Sequence, residues 1–127
     1  MTPDIALYPT ADQIQALLAG PANQPVVMVN LLRFKADSGE ESYRRYAQKM
    51  IAFVQSKGGR VIWSGRMDSQ VIGRDADFFH MIALVEYPSR QAFVAIATDP
   101  YVQEIGVHRA EGLEGQWLIA ATEAAAP

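Results

Sequence analysis

The sequence predicts an α+β fold with the order β-α-β-β-α-β, preceded by one extra short helix. Three observations predict it. The runs Val26–Phe34 and Phe78–Tyr87 are apolar on both alternating faces, as strands buried on two sides would be. The runs from Arg60 to Gly73 and from Leu113 to Thr122 mix apolar residues with Arg, Ser, Gly, Glu and Gln. Segments with apolar residues recurring at threes and fours lie between them, the period of a helix with one buried face.

Taken in order, Thr10 with Gln13 three residues on forms a capping box, and Ile14, Leu17 and Leu18 share one face before Gly20-Pro21 ends the helix. Pro25 opens the first strand, with Val26, Met28, Leu32 and Phe34 on one side and Val27, Val29 and Leu31 on the other. A helix is expected from about Ser42 to Lys57, with Tyr43, Tyr46, Ala47, Met50, Phe53 and Val54 inward and Gly58-Gly59 as its stop. In the second strand, Gly65 and Asp68-Ser69 suggest a bulge or bend. The third strand is expected to begin at Phe78, with Phe79, Met81, Ala83 and Val85 on one face and Phe78, Ile82 and Leu84 on the other. Pro88-Ser89 caps a helix carrying Phe93 and Ile96, Asp99-Pro100 caps a further helical segment, and the fourth strand follows. These elements divide the chain into an extension over residues 1–24, a domain over 25–122 and a frayed tail over 123–127.

A chain of 127 residues with half its residues apolar and a fifth charged is the size and balance of one packed domain. The net charge is −3 and no basic run occurs, which argues against a nucleic-acid partner. Without cysteine there is no disulfide, no thiolate metal site and no cysteine nucleophile. The opening Met1-Thr2-Pro3-Asp4 has neither a positive nor an apolar leader segment, and no run is long enough to span a bilayer. A cytoplasmic location without a membrane partner is the expectation.

Strands one and three, being the most apolar, belong in the middle of the sheet, with two and four at its edges. That is the ferredoxin-like arrangement. Two main helices cover one face of such a sheet, and leaving the Val, Leu and Phe side chains of the other face wet forfeits roughly 1.5–3 kcal/mol each. A second copy stacked face to face as a closed homodimer is the expected cover. The competing cover is the N-terminal helix.

Several motifs resemble an uncharacterised dimeric α/β-barrel family, domain of unknown function 1330. They are Pro25–Phe34, Tyr43-x-x-Tyr46, Gly58-Gly59, Trp63-Ser64-Gly65, Glu86-Tyr87-Pro88-Ser89 with Phe93, and Asp99-Pro100-Tyr101 followed by His108-Arg109. The resemblance runs from about Pro25 to Ala121 and implies a ferredoxin-like protomer paired through its sheets. It implies no established reaction, since related barrels include cofactor-free and haem-degrading monooxygenases, lactone isomerases and stress proteins. Phe78-Phe79 stands where the family often has a Trp-Asp pair, so a carboxylate role there does not carry over.

Asn30 is the sharpest candidate for chemistry, because it interrupts an apolar face of a central strand and an unpaired buried amide costs about 1–3 kcal/mol. Its side chain could orient a substrate carbonyl or simply bond neighbouring backbone. His108 and Arg109 could move a proton and fork onto a carboxylate, or satisfy the carbonyls of a helix end. Asn30 and His108 are thus the candidate catalytic residues, with Tyr43, Tyr46, Trp63 and Arg109 as substrate-binding candidates around a pocket between sheet and first helix. The histidines lack a carboxylate at ligand spacing, and no phosphate loop, dinucleotide fingerprint or Ser-His-acid order occurs, so neither metal nor cofactor is implied. Two readings follow. One is binding of a small, partly apolar carboxylate or carbonyl compound, with cofactor-free oxygenation or isomerisation as the reaction if it is an enzyme; the other is a non-catalytic dimeric stress or interaction module.

Overall fold

Strand β1 spans Val26–Phe34; Val26, Met28, Leu32 and Phe34 are buried, while Asn30 and the odd-numbered residues are half-buried. In the computed structural model, which describes residues 2–124, it lies in the middle of a four-stranded sheet. The other strands are β2 (Arg60–Arg66), β3 (Met81–Tyr87) and β4 (Leu113–Ala121), in the order β2-β3-β1-β4 with all neighbours antiparallel. The two most apolar strands are therefore central, and the architecture is the ferredoxin-like one.

The helices are α1 (Ala11–Leu18), α2 (Gly39–Ser56), α3 (Arg90–Ala97) and α4 (Pro100–Gly112). Thr10 and Gln13 make the reciprocal capping box, Ser89 accepts from Ala92 N–H, and Asp99 accepts from Tyr101 N–H with Pro100 in the first turn. Val26 and Met28 pack with Val54, Tyr87, Ile96 and Val102 beneath α2, α3 and α4. At the other end Leu32, Phe34 and Leu113 form a second cluster joined by Tyr43 and Leu7.

The extension packs in two places. Residues before α1 run along β4, where Ala6 and Gln116 exchange backbone hydrogen bonds and the Trp117 indole donates to the Asp4 carbonyl at 2.6 Å. Helix α1 lies against α3, held by Arg90, which donates to the Leu17 carbonyl and to the Thr122 hydroxyl. Leu17 thereby joins the helix-side core, so the competing cover for the outer face of the sheet lies on the inner side instead. The outer face carries Val27, Val29, Leu31, Ile82, Leu84 and, at its edges, Trp63, Trp117 and Ile119. Trp63 is 54% exposed and Ile119 48%.

Three boundaries differ from expectation. Helix α2 starts at Gly39, three residues before Ser42, because the turn from β1 is tight. Strand β2 ends at Arg66 rather than Gly73, and β3 starts at Met81 rather than Phe78, since a 3₁₀ turn occupies Ala76–Phe78. That turn breaks the alternation: Phe79 packs on the outer-face Trp117, ring centroids 5.0 Å apart, not beside Met81. Of the tail expected at 123–127, residues 125–127 lie outside the described residues.

The start of α2 meets the end of α4 backbone to backbone. A Cβ on Gly112 would stand 2.5 Å from the Gly39 carbonyl oxygen, and one on Gly39 would stand 2.8 Å from that of Gly112. This approach sets Tyr43 one turn into α2 beside the last turn of α4. Gly112→Ala forces the two helix ends apart, and urea unfolding should show a loss of about 1–3 kcal/mol. An unchanged midpoint would mean that the junction has room to spare.

Candidate functional site

Between the sheet and α2 lies a cavity of about 120 Å³. Its walls are mostly aliphatic, including Leu32, Met50, Ile51, Val54, Val61, Met81 and Val85. Into this surface project Asn30, Ser64 and three tyrosines, Tyr43, Tyr46 and Tyr87. Positions 43, 46, 47, 50, 51 and 54 share one face of α2 by helical periodicity, which is why one helix supplies much of the lining. The exposed lining residues Ile51 and Ser64 place the opening between α2 and the edge strand β2.

Asn30 is held from three sides. Its Nδ2 donates to the carbonyls of Met28 and Ala83, each at 3.3 Å, and its Oδ1 accepts from Gln116 Nε2 at 3.1 Å. Gln116 Oε1 accepts in turn from Arg109 Nη2 at 2.8 Å. Each donor thus feeds the next acceptor, from Arg109 through Gln116 to Asn30 and the backbone of β1 and β3. Such chains strengthen each bond and fix both amide orientations. The Arg109 guanidinium also sits 5.6 Å from the ring centroid of Tyr8.

The tyrosines form an aromatic wall, with the Tyr43 and Tyr46 ring centroids 5.4 Å apart and Tyr43 also 5.5 Å from Phe34. None of the three phenol hydroxyls makes a hydrogen bond to another of the described residues, and all three tyrosines line the cavity. Burial pushes the Tyr43 hydroxyl above the ordinary phenol range; Tyr46 adds to the shift and Arg109 opposes it. Burial likewise raises Tyr46 against the pull of Arg109, and raises Tyr87 with a further contribution from Tyr46.

The structure brings Asn30, Tyr43 and Tyr46 together on the cavity wall. Arg109 stands behind that wall through Gln116. Trp63 lies on the opposite face of the sheet. A register shift between Val61 and Trp63 inserts Ile62 as an extra residue, so Val61 and Ser64 point inward and Trp63 is turned out. His108 does not line the cavity. Consecutive helical residues diverge by about 100°, so as Arg109 turns to Gln116, His108 turns its Nδ1 toward Glu111 at 3.7 Å. His80 is structural: its Nδ1 accepts from the Phe34 N–H at 3.0 Å, which assigns the Nε2–H tautomer. Gln116, Ser64 and Tyr87 are the site residues that sequence reasoning did not single out. Gln116 could have been found as the polar residue interrupting strand four, had its bulged register been known. No helix among the described residues is long and apolar enough to cross a membrane, and no cluster of three potential metal ligands occurs among them.

The fold and site define a ferredoxin-like α+β protein with a small, tyrosine-lined cavity under its sheet. The chain belongs to the family described as domain of unknown function (DUF1330), whose model matches residues 33–122. A protein of unknown function from Rhodopseudomonas palustris is similar in structure with a TM-score of 0.86 and 26% identity, over 97% of this chain and 100% of that one. A hydroxynitrile lyase from Passiflora edulis shares the fold, with a TM-score of 0.64 and 12% identity over 83% of this chain and 99% of that one. So does a dabb family protein with a ferredoxin-like fold from Mesorhizobium loti, with a TM-score of 0.56 and 14% identity over 80% and 98%. No curated protein is similar to the chain in sequence.

The raised phenols carry a pH dependence of known sign. A folded-state pKa above the unfolded value leaves stability intact below about pH 10, where unfolded tyrosine begins to ionise, and removes it as pH rises further. Absorbance at 295 nm should show Tyr43, Tyr46 and Tyr87 ionising only with unfolding, and the melting temperature should fall steadily above about pH 10. Ionisation of all five tyrosines near pH 10 with the fold intact would contradict the buried wall.

Proposed function

We propose that the protein binds a small, partly apolar carbonyl or carboxylate compound in the cavity between the sheet and α2. The observation that carries this reading is a mostly aliphatic cavity wall into which Asn30, Ser64 and the three tyrosines Tyr43, Tyr46 and Tyr87 project. Apolar walls with a few convergent polar groups are what small-molecule pockets present, and the phenols are donors that a ligand oxygen can accept from. The size supports a compound of about one ring, since a cavity near 150 Å³ lined by apolar side chains is known to take benzene. Asn30 is committed to internal bonds, so its role is to shape the wall, and Tyr46 and Ser64 become the groups that touch the ligand. The fold is one on which a hydroxynitrile lyase is built, and cofactor-free isomerisation or oxygenation suits the donors present.

The second reading, a non-catalytic interaction module, draws support from the internal satisfaction of Asn30, which needs no ligand to be stable. Both readings share one assembly. The outer face of the sheet, with Val27, Val29, Leu31, Ile82 and Leu84, is the surface proposed to stack on a second copy.

A thermal-shift panel of benzoate, benzaldehyde and phenylacetate should raise the melting temperature for at least one compound, because a ligand of the native state stabilises it by mass action. Tyr46→Phe should weaken that compound by roughly three- to tenfold, the worth of one hydrogen bond, while leaving the free protein as stable as before. A flat panel together with a Tyr46→Phe variant that gains stability supports the second reading. Light scattering at micromolar concentration should return twice the protomer mass, and Leu84→Asp should halve it; a single protomer in the unaltered protein would exclude the stacked sheets.

A further inference from the structure

The cavity opens between α2 and β2, and a single ion pair bridges these two elements on residues that adjoin the lining without belonging to it. Arg66 closes β2, pairing with Met81 of β3, and Met81 itself lines the cavity. Ser64, two residues earlier on the same face, lines it too. On the helix side, Glu40 stands in the first turn of α2, one turn before the cavity residue Tyr43. Arg66 Nη2 donates to Glu40 Oε2, and Arg44 Nη2 donates to the same oxygen at 3.4 Å from one turn along the helix. The carboxylate is therefore shared between two guanidinium groups, while Glu40 Oε1 and the remaining Arg66 donors have no partner among the described residues.

The bond from Arg66 holds the Glu40 carboxyl below its ordinary range, with burial opposing it. At neutral pH the bridge is thus a fully charged pair in contact with water, with side-chain exposure of 60% for Arg66 and 34% for Glu40. Exposed pairs of this kind exchange readily because their two charges are nearly as well satisfied by water. No other ion pair links β2 to α2 among the described residues.

Resting on the cavity reading above, we propose that Arg66 is the anchor for the carboxylate of an anionic ligand, and that Glu40 occupies this anchor until the ligand displaces it. The ligand class is a monocarboxylate with an apolar body of about one ring: the body lies in the cavity beside Tyr43, Ser64 and Met81, and the carboxylate stays outside it on Arg66. An arginine fork suits a carboxylate better than a carbonyl, since it can donate two parallel bonds. Glu40 then turns to Arg44, so its charge remains paired and the exchange leaves no carboxylate stranded. The pair acts as a selectivity device, because a neutral compound of the same shape gains nothing from breaking it.

The test compares benzoate with benzamide by calorimetric titration of the unaltered protein, Glu40→Gln, Arg66→Gln and Ala47→Leu. Benzoate should bind more tightly than benzamide to the unaltered protein. Glu40→Gln should raise benzoate affinity about three- to fivefold, the scale of one exposed ion pair, and leave benzamide unchanged. Arg66→Gln should bring the two compounds to equal affinity. Ala47→Leu, which narrows the cavity from the α2 wall, should weaken both. If both compounds bind and Ala47→Leu weakens them, but neither Glu40→Gln nor Arg66→Gln changes their ratio, the anchor is wrong and the cavity reading stands. If Ala47→Leu weakens neither, or neither compound binds any variant, the cavity reading falls and the anchor with it. Melting curves of the three variants establish that each is folded.

Discussion

An amide in the middle of an apolar strand costs about 1–3 kcal/mol unless its bonds are made, and the inner layer of this protein is arranged around making them for Asn30. Its bonds to Met28 and Ala83 are local to the two central strands, but its oxygen requires a donor from elsewhere. Gln116 supplies it, which demands that β4 present position 116 inward opposite Leu32. The register shift beside Phe34 permits this, because the extra residue between Leu113 and Gln116 lets both face the helices. Gln116 then has an oxygen to satisfy, and Arg109 of α4 meets it. One polar residue in β1 thus specifies the register of an edge strand and the aim of a helix. Conformational specificity is a recognised use of buried polar groups, though their net contribution to stability is modest.

The same strand sets the opposite problem on its other face. Val27, Val29 and Leu31 point away from every helix, and the extension that could have shielded them is occupied elsewhere. Arg90 explains the choice. Its guanidinium is nearly buried and bonds the carbonyl of Leu17 near the end of α1, where the helix dipole is negative. A Cβ on Gly20 would collide with that guanidinium, so a side chain there would force Arg90 to shift. The extension is keyed to α3 by a charge, and Leu17 of its helix adds to the inner core instead of the outer face, while Leu18 stays exposed.

Much of this was legible in the residues. The central position of the two most apolar strands, the caps at Thr10, Ser89 and Asp99, and the inward face of α2 follow from alternation, periodicity and hydrogen-bonding chemistry over short ranges. What was not legible turns on single inserted residues. Ile62 reverses Trp63, the 3₁₀ turn reverses Phe79, and the β4 bulge hides Gln116, because a period of two has no memory across an extra residue. Gly65 suggests a bulge or bend in strand two, but the strand runs regularly through it and the register shift falls three residues earlier, at Ile62. Such insertions are decided by what the neighbouring strand offers, a pairing that lies 20 or more residues away in the chain. The candidate site was therefore visible as its α2 and β1 wall and invisible where β2 and β4 complete it.

The balance of effects on the tyrosines limits what chemistry the cavity can support. Arg109 is close enough to favour a phenolate at Tyr43 and Tyr46, yet burial outweighs it and both stay protonated well beyond neutral pH. A general base must accept a proton at its working pH, and these groups do not. They are hydrogen-bond donors, fixed on rigid elements in a low-dielectric space, which is the arrangement that stabilises negative charge developing on an oxygen. The guanidinium behind them acts in the same direction, since its field reaches any anion held by the phenols. A basic group would then have to come from the ligand itself or from outside the cavity, where the Glu40 carboxyl is held below its ordinary range by Arg66. The inner end of the site is thus electrophilic and the outer end carries the exchangeable charges, an ordering that follows from which residues α2 turns inward and which it leaves in water.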